Sequence, residues 1–198
     1  MTKRGFDLLF ALVGLALTSP VILLVWVVIK LDDGGPIFFR QTRVGQQGRL
    51  FQIIKFRTMS VGADKVGPCI TASGDRRITR IGRVLRNNKF DEIPQLWNVL
   101  KGEMSLVGPR PEVPHYVARY TSKQREVLVL RPGITDEASI LFRDEESRLA
   151  AAVNPERFYI EHCLPRKIEL NLAYARRANI FRDFAVIIRT ISSIWLHR

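Results

Sequence analysis

The sequence predicts an α+β domain that is mostly helical. It has an apolar N-terminal helix-break-helix of membrane length, a β-hairpin, and amphipathic interfacial helices around a small core. Three observations predict it: an uncharged apolar run with Ser19-Pro20 at its centre, two β-rich runs separated by glycines, and helical apolar periodicity through much of the remainder. At 198 residues the chain is one domain with an appendage, residues 1–35 forming the anchor and 36–198 the body.

The apolar run covers residues 8–29, 22 residues with no charge, enough to span a hydrocarbon core. A cleaved signal peptide fits poorly, because the run is too long and no small-x-small site follows it. Two readings remain open: a spanning helix, kinked or straight, and a re-entrant one. Pro20 lacks a backbone donor and crowds the preceding turn, so a kink is expected, and the Thr18 and Ser19 hydroxyls can satisfy freed carbonyls. Lys3 and Arg4 precede the run, and Lys30, Arg40 and Arg43 follow it. Positive flanks favour the cytoplasmic side, and a straight span cannot put both there, whereas a re-entrant helix can.

Residues 32–36, Asp-Asp-Gly-Gly-Pro, form a turn cluster that ends the anchor. Runs 37–44 and 50–58, separated by Gly45-Gln46-Gln47-Gly48, read as a β-hairpin. Its charged residues are Arg40, Arg43, Arg49, Lys55 and Arg57, with no acid, which points to a surface facing phosphates or headgroups rather than a merely solvated sheet face. Residues 61–75 read as a loop and 78–88 as a basic amphipathic helix, with Arg80, Arg83 and Arg86 recurring every three residues. A further helix is expected to start near Asp91 and to bury Leu96, Trp97 and Leu100. Residues 113–129 read as helix, 131–135 as a turn, and 154–177 as helix broken near Leu164-Pro165. Residues 181–195 read as a helix whose apolar stripe (Phe184, Ile187, Ile188, Ile191, Trp195) packs on the core or lies in a membrane interface.

Lys and Arg total 31 against 19 Asp and Glu, a net charge of +12, so anionic partners are favoured. A hydrophobic content of 46% in so basic a chain adds membrane lipid to those partners. Nucleic acid is disfavoured, because the aromatics sit in apolar stripes rather than interleaved with basic residues. Cys69 and Cys163 lack metal-ligand spacing and read as reduced thiols.

The densest chemistry lies at Asp91-Glu92, after Arg83, Arg86 and Lys89 and before Pro109-Arg110-Pro111. Asp91 reads either as a helix N-cap or as a reactive carboxylate. In the second reading the basic neighbours lower its pKa, keep it ionised as a nucleophile and neutralise a diphosphate. Carboxylate oxygens beside phosphates also suit Mg²⁺, with Glu92 as its ligand. His115 reads as structural.

Several motifs, in order, resemble the bacterial sugar transferases, specifically the small monotopic phosphoglycosyl transferases. They are Lys3-Arg4-Gly5-Phe6-Asp7, the Ser19-Pro20 break, residues 35–45 (Gly-Pro-Ile-Phe-Phe-Arg-Gln-Thr-Arg-Val-Gly), Lys55-Phe56-Arg57-Thr58-Met59, Asp91-Glu92-Ile93-Pro94-Gln95, Gly108-Pro109-Arg110-Pro111-Glu112 and Arg131-Pro132-Gly133-Ile134-Thr135. The resemblance covers nearly the whole chain. It implies a re-entrant membrane helix broken at Ser19 and Pro20, and an enzyme at the cytoplasmic face of the bacterial inner membrane. It further implies phosphosugar transfer from a UDP-sugar to undecaprenyl phosphate, with Asp91 as nucleophile, Glu92 as its catalytic partner and Mg²⁺ ligand, and release of UMP. Arg86 and Arg110 are the implied phosphate contacts, Pro109 and Pro111 flank the nucleotide, and Lys55 and Arg57 match the basic hairpin. Residues 136–143 depart from the common family pattern, so no particular sugar is implied. A homodimer is compatible with this reading. The rival is a non-catalytic, membrane-anchored basic module that binds anionic lipid.

Overall fold

A computed structural model describes residues 2–63 and 70–195. Cys69 and part of the loop expected at 61–75 fall outside them. Helix α1 (Lys3–Asp33) opens on Thr2, whose hydroxyl accepts from Gly5 N, and closes on Gly34 in the left-handed region (φ 68°). The expected break at Ser19-Pro20 is absent: the helix runs through Pro20. The Ser19 hydroxyl donates to Ala16 O (2.8 Å), the carbonyl that the missing Pro20 N–H leaves unpaired, and Thr18 donates to Gly14 O (2.6 Å).

One narrow stripe of α1 faces the body along its whole length. Phe6, Asp7 and Ala11 are buried near one end and Val25 and Ile29 near the other, and a Cβ on Gly14 between them would stand 3.2 Å from Leu96. The spacing is that of a single helix face. The opposite face, including Leu12, Leu17, Leu23 and Leu24, is exposed and apolar. Polar bonds tie down both ends. Lys3 pairs with Asp183, Arg4 donates to Val99 O (2.7 Å) and Leu100 O (3.0 Å), and Asp33 pairs with Arg57. Asp7, fully buried, accepts from Ser105 Oγ and Leu106 N, both at 3.0 Å.

The hairpin forms as expected, β1 (Phe38–Val44) antiparallel to β2 (Leu50–Phe56). Its turn needs two consecutive left-handed residues, Gln47 (φ 56°) and Gly48 (φ 77°). Helix α2 (Arg80–Asn87) is capped by Thr79 and lies so close to the hairpin's exit that a Cβ on Gly82 would sit 2.0 Å from Thr58 O. Asp91 does not cap a helix. It belongs to a 3-10 turn, Phe90–Glu92, entered through Lys89 in the left-handed region (φ 57°), and α3 (Gln95–Lys101) starts after Pro94. Helix α3 buries Gln95, Asn98 and Val99. Trp97 faces outward at 53% exposure, so it is not a core residue.

The stretch 131–135, expected to be a turn, supplies β4 (Gly133–Thr135), parallel to β3 (Ser105–Val107). Glycine permits this pairing: a Cβ on Gly133 would stand 2.1 Å from Gly108 N. The helix expected at 113–129 divides into α4 (Pro114–Val117) and a 3-10 segment, Gln124–Val129. A capping box restarts the chain between them, with Gln124 N donating to Thr121 Oγ1 (3.2 Å) and Thr121 N to Gln124 Oε1 (2.9 Å). Short helices α5 (Glu137–Leu141), α6 (Glu145–Ala151) and α7 (Pro155–Phe158) follow. Instead of a break at Leu164-Pro165, a π turn, Tyr159–Cys163, leads directly into α8 (Leu164–Ala175), where Pro165 occupies the tolerant first turn.

Helix α9 (Ile180–Trp195) buries Val186 and leaves Phe181, Phe184, Ile188 and Ile191 exposed, with Phe184 beside Phe10 of α1. One buried cluster joins α1 to α3, β3 and α9 through Phe6, Ala11, Val99, Met104 and Val186. A second joins α1 to β2 and α2 through Val25, Ile29, Phe56 and Leu85. A third lies under α4 and α8 around Tyr116, Tyr159, Leu164 and Ile168.

Candidate active site

Three parts of the chain converge on the carboxylate pair: the 3-10 turn, strand β2 and the Pro109-Arg110-Pro111 turn. Glu92 is held by cations from the other two. Arg110 donates to both of its oxygens (2.5 Å to Oε1, 3.3 Å to Oε2), and Lys55 donates to Oε1 at 3.0 Å. Charged donors in this two-point arrangement make strong bonds. Burial alone would raise the Glu92 pKa, but Arg110 and Lys55 outweigh it and hold the carboxyl well below the usual range. Arg110 is raised in return by Glu92, and Lys55 is pulled down to about 8 by burial, against the opposing pull of Glu92.

Asp91 differs sharply. It is 7% exposed, and its Oδ1 is buried without a hydrogen-bond partner among the described residues. Burial, then the neighbouring Glu92 charge, push its pKa up. This corrects the expectation that surrounding cations depress it: Lys55, Lys89 and Arg86 act on Asp91 but are outweighed. A buried carboxylate without a partner is costly, so one held beside a neutralised twin is a candidate reactive group.

The Pro-Arg-Pro turn is fixed on all sides. Pro109 O accepts from Gly133 N (2.9 Å), Pro111 O from Arg43 (2.9 Å), and Arg110 N donates to Asp136 Oδ2 (3.2 Å). Strands β3 and β4 therefore aim Arg110 at Glu92. The other expected phosphate ligands are bonded within the protein, although Arg86 stays close enough to act on the Asp91 carboxyl. Arg86 donates to Thr58 Oγ1 (3.0 Å) and Glu146 (3.3 Å), and Arg57 is engaged by Asp33, Pro36 O and Met59 O. The hairpin is accordingly not one uniform basic surface: Lys55 and Arg43 serve the site, Arg57 ties the anchor to the body, and Arg40 and Arg49 are exposed. Ser19 and Pro20 sit exposed in mid-α1, and His115 lies on the surface near Glu156 (3.4 Å). Asp136 begins the segment 136–143 that departs from the common family pattern, but sequence reasoning assigned it no role in holding the turn and missed Asn171 altogether; the two support the turn from behind through a 2.9 Å bond between their side chains.

A carboxylate pair engaged by a basic turn, on an α+β body with a long apolar N-terminal helix, is an arrangement suited to phosphate chemistry at a membrane. The chain belongs to the bacterial sugar transferase family, whose model matches residues 1–197. It is 37% identical to the UDP-N-acetylgalactosamine-undecaprenyl-phosphate N-acetylgalactosaminephosphotransferase of Aeromonas hydrophila, over 97% of this chain and 43% of that protein. It is 38% identical to the uncharacterized sugar transferase EpsL of Bacillus subtilis, over 97% of this chain and 86% of that one. To the UDP-glucose:undecaprenyl-phosphate glucose-1-phosphate transferase of Caulobacter vibrioides it is 35% identical, over 98% and 70%. The chain thus spans less than half the length of the Aeromonas protein but most of the other two.

Proposed function

We propose that this protein transfers a sugar 1-phosphate from a UDP-sugar to undecaprenyl phosphate, an opening membrane step of glycan assembly. The supporting relatives are named for that reaction, with N-acetylgalactosamine in one and glucose in another. The observation that carries the mechanism is the contrast within the pair: Glu92 is engaged by Lys55 and Arg110, while Asp91 Oδ1 is buried and unengaged among the described residues. An Asp91 carboxylate oxygen attacks the sugar-bearing phosphorus. A new O–P bond forms, the P–O bond to UMP breaks, and UMP departs with the electron pair. A phosphate oxygen of the lipid then attacks the same phosphorus and displaces Asp91, which predicts ping-pong kinetics. Arg110 and Lys55 meet the charge on the phosphoryl oxygens.

The residues also fit Mg²⁺. Asp91 Oδ1 is an orphaned hard oxygen beside Glu92, and this ion commonly takes one or two protein carboxylates with substrate phosphates. Glu92 would hold it by sharing an oxygen now given to Arg110. When bound, the ion neutralises charge on the diphosphate.

The site works at a membrane surface. Helix α1 lies along the body and is bonded to it at both ends, so crossing the bilayer would carry body residues packed on its middle into hydrocarbon. A shallow embedding at the cytoplasmic face of the inner membrane keeps both positively flanked ends on one side. A basic lipid-binding module would leave the costly Asp91 environment without a purpose.

The test is UMP release from a panel of UDP-sugars, with Mg²⁺ and polyprenyl phosphate, by wild type and Asp91→Asn, with intact-mass detection of a phosphosugar adduct. Wild type is expected to release UMP and Asp91→Asn to lose at least about a thousandfold in rate, as expected for removal of a nucleophile. Release of UDP instead of UMP, or a fully active mutant, overturns the proposal.

A further inference from the structure

Most cations around the carboxylate pair are committed to the protein itself. Lys55 and Arg110 are bonded to Glu92, Arg86 to Thr58 and Glu146, and Arg43 to Pro111 O and Gln41. Lys89 is different. It stands two residues before Asp91, is exposed, and its ammonium makes no hydrogen bond or ion pair with a described residue. Burial is the largest influence on the carboxyls of both Asp91 and Glu92, and the Lys89 charge opposes it at both. The 3-10 turn that carries the pair starts from Lys89, whose backbone lies in the left-handed region (φ 57°). Glycine or asparagine fits that region more readily, so a lysine there, beside a reactive group, points to a use for its side chain.

The same turn is seated against the apolar helix. Phe90 and Ile93 pack on a cluster that includes Val25 and Ile29 of α1, and Leu85 of α2, the helix leading into Lys89, belongs to it. On the other side of that stretch of α1, Leu23, Leu24, Trp26 and Val27 are exposed and apolar. Lys89 therefore stands where the carboxylate pair meets the helix that faces lipid. A phosphate at the head of a long hydrocarbon chain arrives at such a junction, whereas a soluble nucleotide needs no apolar surface beside it.

We infer that Lys89 binds the phosphate of the lipid acceptor and presents it to the phosphorus carried by Asp91. This rests on the function proposed above. In that step an oxygen of the lipid phosphate forms a bond to the phosphorus, the bond from phosphorus to the Asp91 oxygen breaks, and its electron pair returns to the carboxylate. The acceptor brings roughly two negative charges towards a phosphoryl group that is itself anionic. An unpaired cation at the point of approach offsets that repulsion. An ammonium on a flexible stem also suits an anion that must arrive and then leave.

The two half-reactions are measured apart, in nonionic detergent free of anionic phospholipid, with the UDP-sugar that wild type turns over. Formation of the phosphosugar adduct is followed by intact mass without acceptor. Discharge of the preformed adduct is then followed with polyprenyl phosphate at sub-saturating concentration. Lys89→Asn removes the charge and keeps a residue at ease in the left-handed backbone, and Lys89→Arg keeps the charge. Lys89→Asn is expected to slow discharge at least about tenfold more than it slows formation, and Lys89→Arg to stay within about threefold of wild type in both. Equal losses in the two half-reactions, no loss in either, or a discharge that Lys89→Arg does not preserve overturns the assignment. A loss confined to formation also overturns it and places Lys89 on the donor phosphates. Formation and discharge of the adduct by wild type uphold the function whatever the variants do, and a wild type that forms no adduct and releases no UMP removes both.

Discussion

At the carboxylate pair, one side chain holds two cations and its neighbour holds none among the described residues, and the pH dependence of the reaction follows from that division. Asp91 must be ionised to attack, and burial, then the neighbouring Glu92 charge, raise its pKa, so activity should fall on the acid side at a higher pH than an ordinary aspartate would give. Lys55 must be protonated to oppose phosphate charge, and burial draws it down to about 8, so its charge is lost as pH rises through that value. A bell-shaped kcat/KM profile is expected, with its alkaline limb near pH 8. Lys55→Arg should move that limb upward by more than one pH unit, since guanidinium stays charged; an alkaline limb that stays put in Lys55→Arg would assign it to another group. The pair itself, and Arg110 as its partner, were legible in the sequence. Which carboxylate would receive the cations was not, because Lys55 reaches Glu92 from a strand 37 positions earlier. Arg86, close to Asp91 in sequence and acting on it in the fold, also donates to Glu146, 60 positions later, which no local pattern shows.

At the scale of elements, short pieces of backbone place the chemistry, and these were the least legible. The hairpin was readable because two β-rich runs flank a glycine turn, and α2 and α9 because their apolar periodicity is local. Strands β3 and β4 are three residues each and pair across more than twenty intervening positions, so neither carries a pattern long enough to read. Their close approach depends on Gly108 and Gly133, which the sequence presents simply as turn formers. Gly133→Ala would put a Cβ 2.1 Å from Gly108 N and 2.5 Å from Gly108 O, so the strands must part and the Pro-Arg-Pro turn must move. A displacement of about 1 Å at a catalytic group commonly costs about a hundredfold in rate. We expect that loss in kcat/KM from protein that still resists proteolysis across α1 and the hairpin, which are also held by contacts remote from Gly133. Wild-type turnover by Gly133→Ala would mean that the turn is not held by this strand pair.

For the whole molecule, the decisive relation is between α1 and the body. Thirty-one residues of helix extend about 46 Å, more than a hydrocarbon core of about 30 Å requires, so length alone favours a span. Packing argues the other way. The stripe from Phe6 and Ala11 to Val25 and Ile29 is covered by α3, β2, β3 and α2, and ion pairs fasten Lys3 to α9 and Asp33 to the end of the hairpin. The leucines of the opposite face remain for lipid, and the exposed Phe181, Phe184 and Ile188 of α9 continue the apolar surface beside Phe10. The shallow embedding proposed above puts both helix ends on one side of the bilayer, and α1 runs uninterrupted through Pro20, where the Ser19 hydroxyl donates to Ala16 O. Single cysteines placed at Thr2 and at Asp32, both exposed, in a chain carrying Cys69→Ser and Cys163→Ala, separate the alternatives. With a thiol reagent that does not cross the inner membrane, both positions should be shielded in spheroplasts and both labelled in inverted vesicles. A spanning helix would label one position in each preparation, and would require the contacts at one end of α1 to come apart in the membrane.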